Sequence, residues 1–279
     1  KIISKKRLSE NVWTISVEAP EIASARKAGQ FVIVMPDAER GERIPLTICD
    51  ADPRLGTIDL LFQTVGASTM QLASLNEGDC IGSVVGPLGK PTAIHKAPGH
   101  VVCVAGGIGA APMHPIAQAL KAAGNRVTII VGARNKSLIV LEDKLRKIAP
   151  DGLIVVTDDG SSGRKGLVTE PLKELCEKGG IDEVIAIGPP VMMKFCSLAT
   201  KPFGVKTTVS LNTVMIDGTG MCGGCRVQVG GKTKFVCVDG PEFDGHEVVW
   251  DLMMQRMGSF KVQENAAREH ACRLYGGML

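Results

Sequence analysis

Short runs of alternating apolar and polar residues fill the first third of the chain. Trp13, Ile15 and Val17 alternate with polar neighbours, which predicts a strand with one buried face. A helix is predicted at 68–75, and further strand-like runs separated by turn residues lie at 31–35, 44–49 and 57–64. Short strands joined by tight turns predict a small antiparallel β-barrel over residues 1–97.

The pattern changes after Pro98 to an alternation of strands and helices. Apolar, strand-like runs lie at 101–105, 127–131, 153–157 and 183–187. Helical runs follow them at 110–123, 137–148, 167–178 and 191–199. This alternation predicts a doubly wound parallel α/β sheet over residues 98–204.

The third segment, residues 205–279, returns to short strands around a cysteine-rich loop. Runs at 226–229 and 232–235 flank Gly230-Gly231, a pair that is typical of a two-residue hairpin turn. Such a hairpin places Cys225 and Cys237 close together at its open end. We therefore expect a multidomain chain with a small cysteine-rich third domain.

Two helices are expected after this hairpin. Asp244-Gly-His-Glu247 has the spacing of a capping box and predicts a helix to about Met257. Its side chains from Val248 onward are more apolar than one buried stripe needs, which fits either a partner surface or a plain core helix. A last helix is predicted at 262–274, ending at Gly276-Gly277.

The cysteine-rich segment carries the most specific spacing in the chain. Asp217, Cys222, Cys225 and Cys237 follow the C-x4-C-x2-C pattern with a distant fourth cysteine that plant-type [2Fe–2S] clusters use, with Asp in first place. Glycines at 218, 220, 223 and 224 let backbone amides approach the sulfurs. The segment predicts a [2Fe–2S] cluster with Asp217 as its fourth ligand.

Two other interpretations of these residues stay open. The three cysteines could bind zinc with Asp217, Asp239, Asp244 or His246 as fourth ligand. They could also be unconnected buried thiols.

Two glycine-containing loops follow strands of the predicted α/β sheet. Gly106-Gly107-Ile-Gly109-Ala-Ala-Pro112 opens a helix, where a pyrophosphate can meet helix N-terminal amides. Gly188-Pro189-Pro-Val-Met192 forms a second ligand-facing turn at a strand's carboxyl end. Either loop alone could be an ordinary turn, but two on one sheet favour a nucleotide site.

An acidic loop bears on which nucleotide binds. Asp158-Asp159 follows the run at 153–157, and a carboxylate there repels a 2′-phosphate but accepts hydrogen bonds from a free ribose diol. Arg134, Arg164 and Lys165 lie nearby in sequence and weaken this argument. We expect NAD(H) rather than NADP(H).

The barrel half carries a possible flavin site. Arg43 and the amides that open the helix after Gly66 can clamp a diphosphate, and Thr47 on a strand can hydrogen-bond a flavin's polar edge. Each of these segments alone is equally consistent with a plain turn or strand.

Composition narrows the classes further. The chain has 279 residues, a formal charge of +3 with scattered Lys and Arg, and 4% aromatic residues, so no nucleic-acid surface is expected. No apolar run reaches the roughly 18 residues needed to span a bilayer, and the N-terminus does not resemble a signal peptide. Six of the nine cysteines are scattered without a disulfide framework, which predicts a cytoplasmic protein.

Together these segments resemble the ferredoxin–NADP reductase superfamily of flavoproteins over essentially the whole chain. The chain is most similar to the branch that contains the iron–sulfur subunit of dihydroorotate dehydrogenase and the small subunit of NADH-dependent ferredoxin:NADP oxidoreductase (sulfide dehydrogenase). The second of these offers Asp plus three cysteines where the first offers four cysteines, so Asp217 favours the second.

The resemblance implies site roles. Arg43 and Thr47 resemble the two ends of an R-x-Y-S-type flavin motif, with Pro45-Leu46 between them and a spacing one residue longer. Leu46 stands where a tyrosine often covers the flavin in that family. By the same resemblance an FAD diphosphate binds Gly66, Ser68 and Thr69. The nicotinamide nucleotide is expected at Gly106, Gly107, Gly109, Pro112, Asp158, Gly188, Pro189 and Met192.

The resemblance also implies a function. FAD would exchange a hydride with NAD(H) and pass single electrons to the cluster and to a larger flavin and iron–sulfur subunit, with electron bifurcation among NADH, NADP(H) and ferredoxin. No catalytic acid or nucleophile is expected. The alternatives are an electron transfer subunit of dihydroorotate dehydrogenase and a zinc-stabilised nucleotide-binding module without turnover.

Overall fold

The first part of the molecule is an antiparallel sheet. The computed structural model describes residues 1–39, 41–95 and 99–275. Six strands pair in the order β1-β2-β5-β4-β3-β6. They are β1 (Ile2–Ser9), β2 (Val12–Glu18), β3 (Phe31–Met35), β4 (Ile44–Asp52), β5 (Thr57–Gln63) and β6 (Ser83–Leu88). This confirms the predicted sheet-rich domain.

Two short helices complete this part, α1 (Pro20–Ala25) and α2 (Ala67–Ser74). Helix α2 agrees with the prediction at 68–75, whereas α1 was not predicted. Both helices contribute side chains to one aliphatic core with the sheet, including Ile22 and Leu72. Burial of this apolar area is the main force that holds the sheet together.

Strand β3 belongs to two cores. Val32 and Val34 point into the core of the antiparallel sheet. Phe31 and Ile33 point the opposite way, as alternate strand residues do, and pack in a second core with residues from the rest of the chain. One face of β3 thus joins the first sheet to the remainder of the molecule, and Val12, Cys49 and Leu61 join it a second time by packing in a core with residues from the middle of the chain.

The middle of the chain forms a parallel sheet in the order β10-β9-β8-β7-β11-β12-β15. Six strands are parallel, and β15 joins one edge antiparallel. The strands are β7 (His100–Gly106), β8 (Arg126–Ala133), β9 (Leu153–Thr157), β10 (Arg164–Lys165), β11 (Glu183–Ile187), β12 (Lys206–Ser210) and β15 (Glu242–Asp244). The accompanying helices are α3 (Ala110–Ala122), α4 (Glu142–Ile148), α5 (Thr169–Lys178) and α6 (Pro190–Thr200). The predicted α/β domain is confirmed.

This sheet extends beyond residue 204, where the sequence pattern placed a domain boundary. Strand β12 pairs with β11, and β15 pairs with β12 through Ser210 opposite Glu242. The cysteine-rich segment is therefore an insertion between two strands of one sheet. The other predicted boundary, at 97/98, lies outside the described residues.

The insertion contains the predicted hairpin. Strands β13 (Arg226–Val229) and β14 (Lys232–Phe235) pair in a register that places Arg226 opposite Phe235. Gly230 and Gly231 have φ of 56° and 72°, as a tight two-residue turn requires. A helical turn that was not predicted, α7 (Val236–Asp239), follows and carries Cys237.

The chain ends in helices α8 (Trp250–Met257) and α9 (Lys261–Tyr275). Helix α9 packs across α2 of the first sheet, where Ala271 is buried and the Cys272 Sγ lies 3.9 Å from the Met70 Sδ. The predicted stop at Gly276-Gly277 lies outside the described residues. Among the described helices, none is both long and apolar enough to cross a membrane.

Two predicted helix starts are wrong. The helix predicted at 137–148 begins only at Glu142, because Leu141 before it takes a left-handed φ of 60°. The predicted capping box fails because Asp244 lies in β15 and its side chain accepts the amide of His246 in a turn. Helix α8 starts six residues later, at Trp250, whose indole donates to the Gly245 carbonyl at 3.0 Å.

Candidate functional site

The two nucleotide loops lie side by side in the structure. They follow β7 and β11, which are neighbours in the middle of the parallel sheet. The chain crosses from β7 to β8 on one side and returns to β11 on the other, so this edge is the topological switch point where α/β proteins bind ligands. Gly109 lies against the carbonyl of Ile187, and Pro112 stands in the first turn of α3.

Close packing in these loops depends on glycine. A Cβ at Gly106 would clash with the Met192 side chain and lie 3.0 Å from Pro189 Cδ. A Cβ at Gly188 would lie 2.9 Å from Met192 Cε. Gly107, by contrast, has φ of 54° and open space on its Cβ side. The loops therefore pack tightly against each other and leave open space beside Gly107, where α3 is about to begin.

The acidic loop stands at the same edge of the sheet. Asp158 follows β9 and is exposed. Arg164, which could have favoured a 2′-phosphate, is engaged elsewhere, since its guanidinium contacts both carboxylate oxygens of Glu174 at 2.8 and 2.6 Å and Glu170 at 3.5 Å. This geometry strengthens the expectation of NAD(H).

Strand β4 carries the expected flavin residues on both faces of the sheet. Pro45 lies opposite Ile33 and Thr47 opposite Phe31, so Pro45 and Thr47 share the face that meets the rest of the molecule. Leu46 packs instead against the core of the antiparallel sheet. The structure therefore does not bring Leu46 to the face of Pro45 and Thr47, because adjacent strand residues alternate.

The start of α2 offers backbone amides rather than free hydroxyls. Thr69 Oγ1 accepts the amide of Gly66 at 3.1 Å and donates to its carbonyl at 2.9 Å. Ser68 Oγ donates to Glu42 at 3.2 Å. Arg43 is exposed just before β4, and a Cβ at Gly66 would meet nothing within 4 Å. The open space at this helix start fits a diphosphate.

Residues 215–225, here called the cluster loop, fold around the carboxylate of Asp217. Its two oxygens accept the amides of Thr219 at 2.8 Å and Cys222 at 2.6 Å. These hydrogen bonds lower the pKa of Asp217 and keep the carboxylate ionised. An ionised carboxylate has lone pairs left for a metal ion.

The thiols come together as the hairpin predicts. Cys225 Sγ and Cys237 Sγ lie 3.2 Å apart in the protein interior. The amide of Gly224 donates to Cys222 Sγ, and the amide of Cys237 donates to Cys225 Sγ, each at 3.4 Å. Burial and the Cys225 thiol raise the pKa of Cys237 to about 12, and a bound cation reverses such a shift.

Asp217 and Cys222 are linked through the Cys222 backbone amide, and the Cys225 and Cys237 thiols lie against each other. Within the described part of the chain, no three His, Cys, Asp or Glu side chains converge on a position for a single metal ion. The four candidate ligands nevertheless lie in one loop and the helical turn after its hairpin, and four protein ligands are what a [2Fe–2S] cluster takes.

Sequence reasoning missed an apolar rim around the cluster loop. Met221 is 89% exposed, Ile216 53% and Val238 38%. Exposed apolar side chains grouped in this way mark contact surfaces. The sequence signal for this surface was Met221, an apolar residue directly before Cys222 in an otherwise glycine-rich loop.

Comparisons with known proteins agree with this geometry. Residues 212–249 match the iron–sulfur cluster binding domain of dihydroorotate dehydrogenase B, and residues 103–197 match the oxidoreductase NAD-binding domain. A Thermotoga maritima homologue of the dihydroorotate dehydrogenase B (NAD(+)) electron transfer subunit is 44% identical, over 99% of this chain and 96% of its own. The chain belongs to this electron transfer subunit family.

Other relatives agree with this family assignment. A Clostridium beijerinckii protein described only by its position in the adh 3′ region is 50% identical over 96% of this chain and 93% of its own. A chain of the NADH-dependent reduced ferredoxin–NADP oxidoreductase superposes with a TM-score of 0.91 at 44% identity, covering 97% and 96% of the two chains. Phthalate dioxygenase reductase shares the fold, with a TM-score of 0.58 at 18% identity over 82% and 85% of the chains.

Because the chain belongs to the electron transfer subunit family, its two glycine loops, its antiparallel sheet and its cluster loop are parts of one electron-transfer protein. The chain is an oxidoreductase subunit that transfers electrons between NAD(H), FAD and a [2Fe–2S] cluster.

Proposed function

We propose that the chain is the small subunit of an NADH-dependent ferredoxin:NADP oxidoreductase. The observation that carries this proposal is the cluster loop with Asp217 at the position of the first ligand. It occurs in a chain that superposes with a TM-score of 0.91 on a chain of that enzyme. When bound, FAD supplies hydride acceptance and the cluster supplies one-electron steps, while the protein supplies position and electrostatics.

Each group of residues has a role in this proposal. Arg43 and the amides after Gly66 hold the FAD diphosphate, and Pro45 and Thr47 line the flavin. The loops at β7 and β11 hold NADH so that its nicotinamide reaches the flavin, and Asp158 accepts hydrogen bonds from the ribose. Hydride transfer between a nicotinamide and a flavin needs no protein acid or base.

The cluster is held by Asp217, Cys222, Cys225 and Cys237 in the proposed arrangement. We also propose that the antiparallel sheet functions as a flavin-binding barrel over about residues 1–97, with nucleotide and iron–sulfur domains after it. The half-exposed cluster loop supports this role, because an electron carrier has to be reached by its acceptor.

The proposed partner is a larger subunit with its own flavin and iron–sulfur clusters, through which ferredoxin and NADP(H) react and electrons are bifurcated. The apolar rim of Met221, Ile216 and Val238 suits contact with such a subunit. Val249, which precedes α8, and Leu252 within it are further exposed apolar side chains, at 47% and 39%.

A second candidate is the electron transfer subunit of dihydroorotate dehydrogenase B. Relatives carrying that description are 30–36% identical, including one from Desulforamulus reducens at 32% over 90% of this chain. The replacement of the first cysteine by Asp217 favours the first candidate.

Anaerobic purification of the chain with its natural partner tests the proposal. We expect FAD, two irons and two acid-labile sulfides per chain, and reduction of NADP⁺ that requires both NADH and reduced ferredoxin as electron donors. Copurification of a dihydroorotate-oxidising subunit would support the second candidate instead. Zinc without flavin would reject both candidates in favour of a nucleotide-binding module.

A further inference from the structure

Gly218 of the cluster loop packs against the antiparallel sheet, which carries the proposed flavin site. Gly218 has φ of 75°, and a Cβ at this position would lie 2.7 Å from both Ile33 Cγ1 and Leu88 Cδ1. These side chains belong to β3 and β6. Contacts this short leave room for a hydrogen atom only, so the backbone of the loop rests directly on the sheet.

The segment after Cys237, the last of the proposed ligands, packs against the same strands. The amide of Lys90, just past β6, donates to the carbonyl of Gly240 at 2.7 Å. A Cβ at Gly89 would lie 2.7 Å from Phe31 Cε1 and 3.0 Å from Pro241 Cδ. The four-residue ligand set is therefore fixed to the sheet on both sides, before Cys222 and after Cys237.

This attachment lies beside the flavin strand. Residues opposite each other on paired strands share a face, and Pro45 lies opposite Ile33 while both Thr47 and Leu88 lie opposite Phe31. Strands in a sheet are about 4.8 Å apart, so the Gly218 contact is within roughly 10 Å of β4. Cys225, Cys237, Phe31 and Ile33 also belong to one continuous apolar core.

We propose that Gly218 is a positioning residue that sets the distance between flavin and cluster through its contact with Ile33 and Leu88. The inference rests on the proposed function. Each NADH gives two electrons to FAD and the cluster accepts one at a time, so electrons cross this contact twice per NADH, and the partner subunit reoxidises the cluster in between. A side chain at Gly218 lifts the loop from the sheet and lengthens the path.

Gly204 provides a matched backbone control outside the cluster loop. Its φ of 63° makes an alanine there as strained as at Gly218, but a Cβ at Gly204 would meet nothing within 4 Å. Comparing Gly218→Ala with Gly204→Ala therefore removes the general effect of backbone strain and leaves the contact with the sheet as the difference.

The test combines rapid kinetics with magnetic resonance on the complete chain. After mixing with NADH, we expect Gly218→Ala to reduce its flavin at the wild-type rate but its cluster several-fold more slowly, because the rate of electron transfer falls steeply as the distance between two redox centres grows. Dipolar coupling between the one-electron-reduced flavin and the reduced cluster, measured by EPR, should weaken in Gly218→Ala and not in Gly204→Ala. Equal rates and equal couplings in the two variants would overturn the proposal.

If Gly218→Ala loses iron, Leu88→Ala serves the same purpose from the sheet side without changing the loop. It removes one wall of the contact, so we again expect weaker coupling and slower cluster reduction. Wild-type coupling and rate in Leu88→Ala would count against the positioning role. Failure of the proposed function has a different signature, because the wild-type protein itself would then lack flavin or iron.

Discussion

At the scale of single residues, Asp217 combines an observed role with a proposed one. Its carboxylate accepts the amides of Thr219 and Cys222 within the cluster loop, and we propose that it also ligates the cluster. A loop cap and a ligand both need a short acidic side chain. Only ligation, however, affects the electronic structure of the iron.

We predict that Asp217→Cys keeps its iron and changes the visible and EPR spectra of the cluster, because a thiolate replaces a carboxylate of equal charge. Iron analysis together with both spectra checks this. Asp239→Ala and Asp244→Ala are controls, since both side chains accept nearby backbone amides but neither is one of the four proposed cluster ligands. A cluster spectrum identical to wild type in Asp217→Cys would reject ligation by Asp217.

Asp158 is the residue expected to recognise the nucleotide. We predict that Asp158→Ala raises the KM for NADH about tenfold, because it removes a hydrogen bond to a charged group. The variant should also show a smaller preference for NADH over NADPH than the wild type does. Steady-state kinetics with an artificial acceptor measures both values. Asp159→Ala is the control, because its carboxylate is already bound to Ser161. Equal KM values in the two variants would show that Asp158 does not contact the ribose.

At the scale of elements, the sequence predicted strands better than helix starts. Alternation and apolar runs identify strands because each face of a sheet has its own environment. The late start of α4 depends on one left-handed residue, Leu141, whose conformation no residue-type rule marks. The apparent capping box at Asp244 failed because pairing of β15 with β12 overrode a local signal.

The hairpin turn was correctly predicted and can be tested at this scale. Gly230 takes a positive φ, which costs an L-residue other than Asn or Asp about 1 kcal/mol. We predict that Gly230→Ala lowers the free energy of unfolding by about that amount, and speeds iron loss, because the turn sets the register of Cys225 and Cys237. Gly230→Asn is expected to match wild type. Denaturant titration and iron release report the two effects.

At the scale of the whole molecule, a partly buried carboxyl lies where three parts of the chain meet. Glu242 of β15 accepts the Thr92 hydroxyl at 2.6 Å, in the segment that leaves the first sheet. Glu183 and Lys206 line the same cavity of about 240 Å³. Burial raises the pKa of Glu242 from its ordinary 4.5 to about 7.

This raised pKa predicts a pH-dependent stability. Between pH 4.5 and 7 the folded state binds the proton more tightly than the unfolded state, so stability decreases as pH rises through this range, by up to about 3 kcal/mol. We predict that Glu242→Gln, which keeps the hydrogen bond to Thr92, is more stable than wild type at pH 8 and equally stable at pH 5. Unfolding measured at both values checks this, and a constant difference across pH would contradict it.

The arrangement of the parts was beyond the sequence pattern. The spacing of Asp217 to Cys237 predicted an iron–sulfur segment and the glycine loops predicted a nucleotide-binding domain, and the family matches over 212–249 and 103–197 confirm both. Which residues hold the cluster and the nucleotide stays a prediction. Nothing in the local pattern showed that α9 returns to α2, or that Gly218 meets Ile33. Such contacts join residues far apart in the chain, and they are decided by packing complementarity rather than by periodicity.

The pairing of Ser210 with Glu242 gives the iron–sulfur segment adjoining ends. A cassette whose ends meet can be gained, exchanged or lost during evolution without rebuilding the sheet that hosts it. Such an exchange would give a pyridine-nucleotide flavoprotein a new electron acceptor in one step. The constraint on the replacement lies at its base, since any substitute has to cover Phe31 and Ile33.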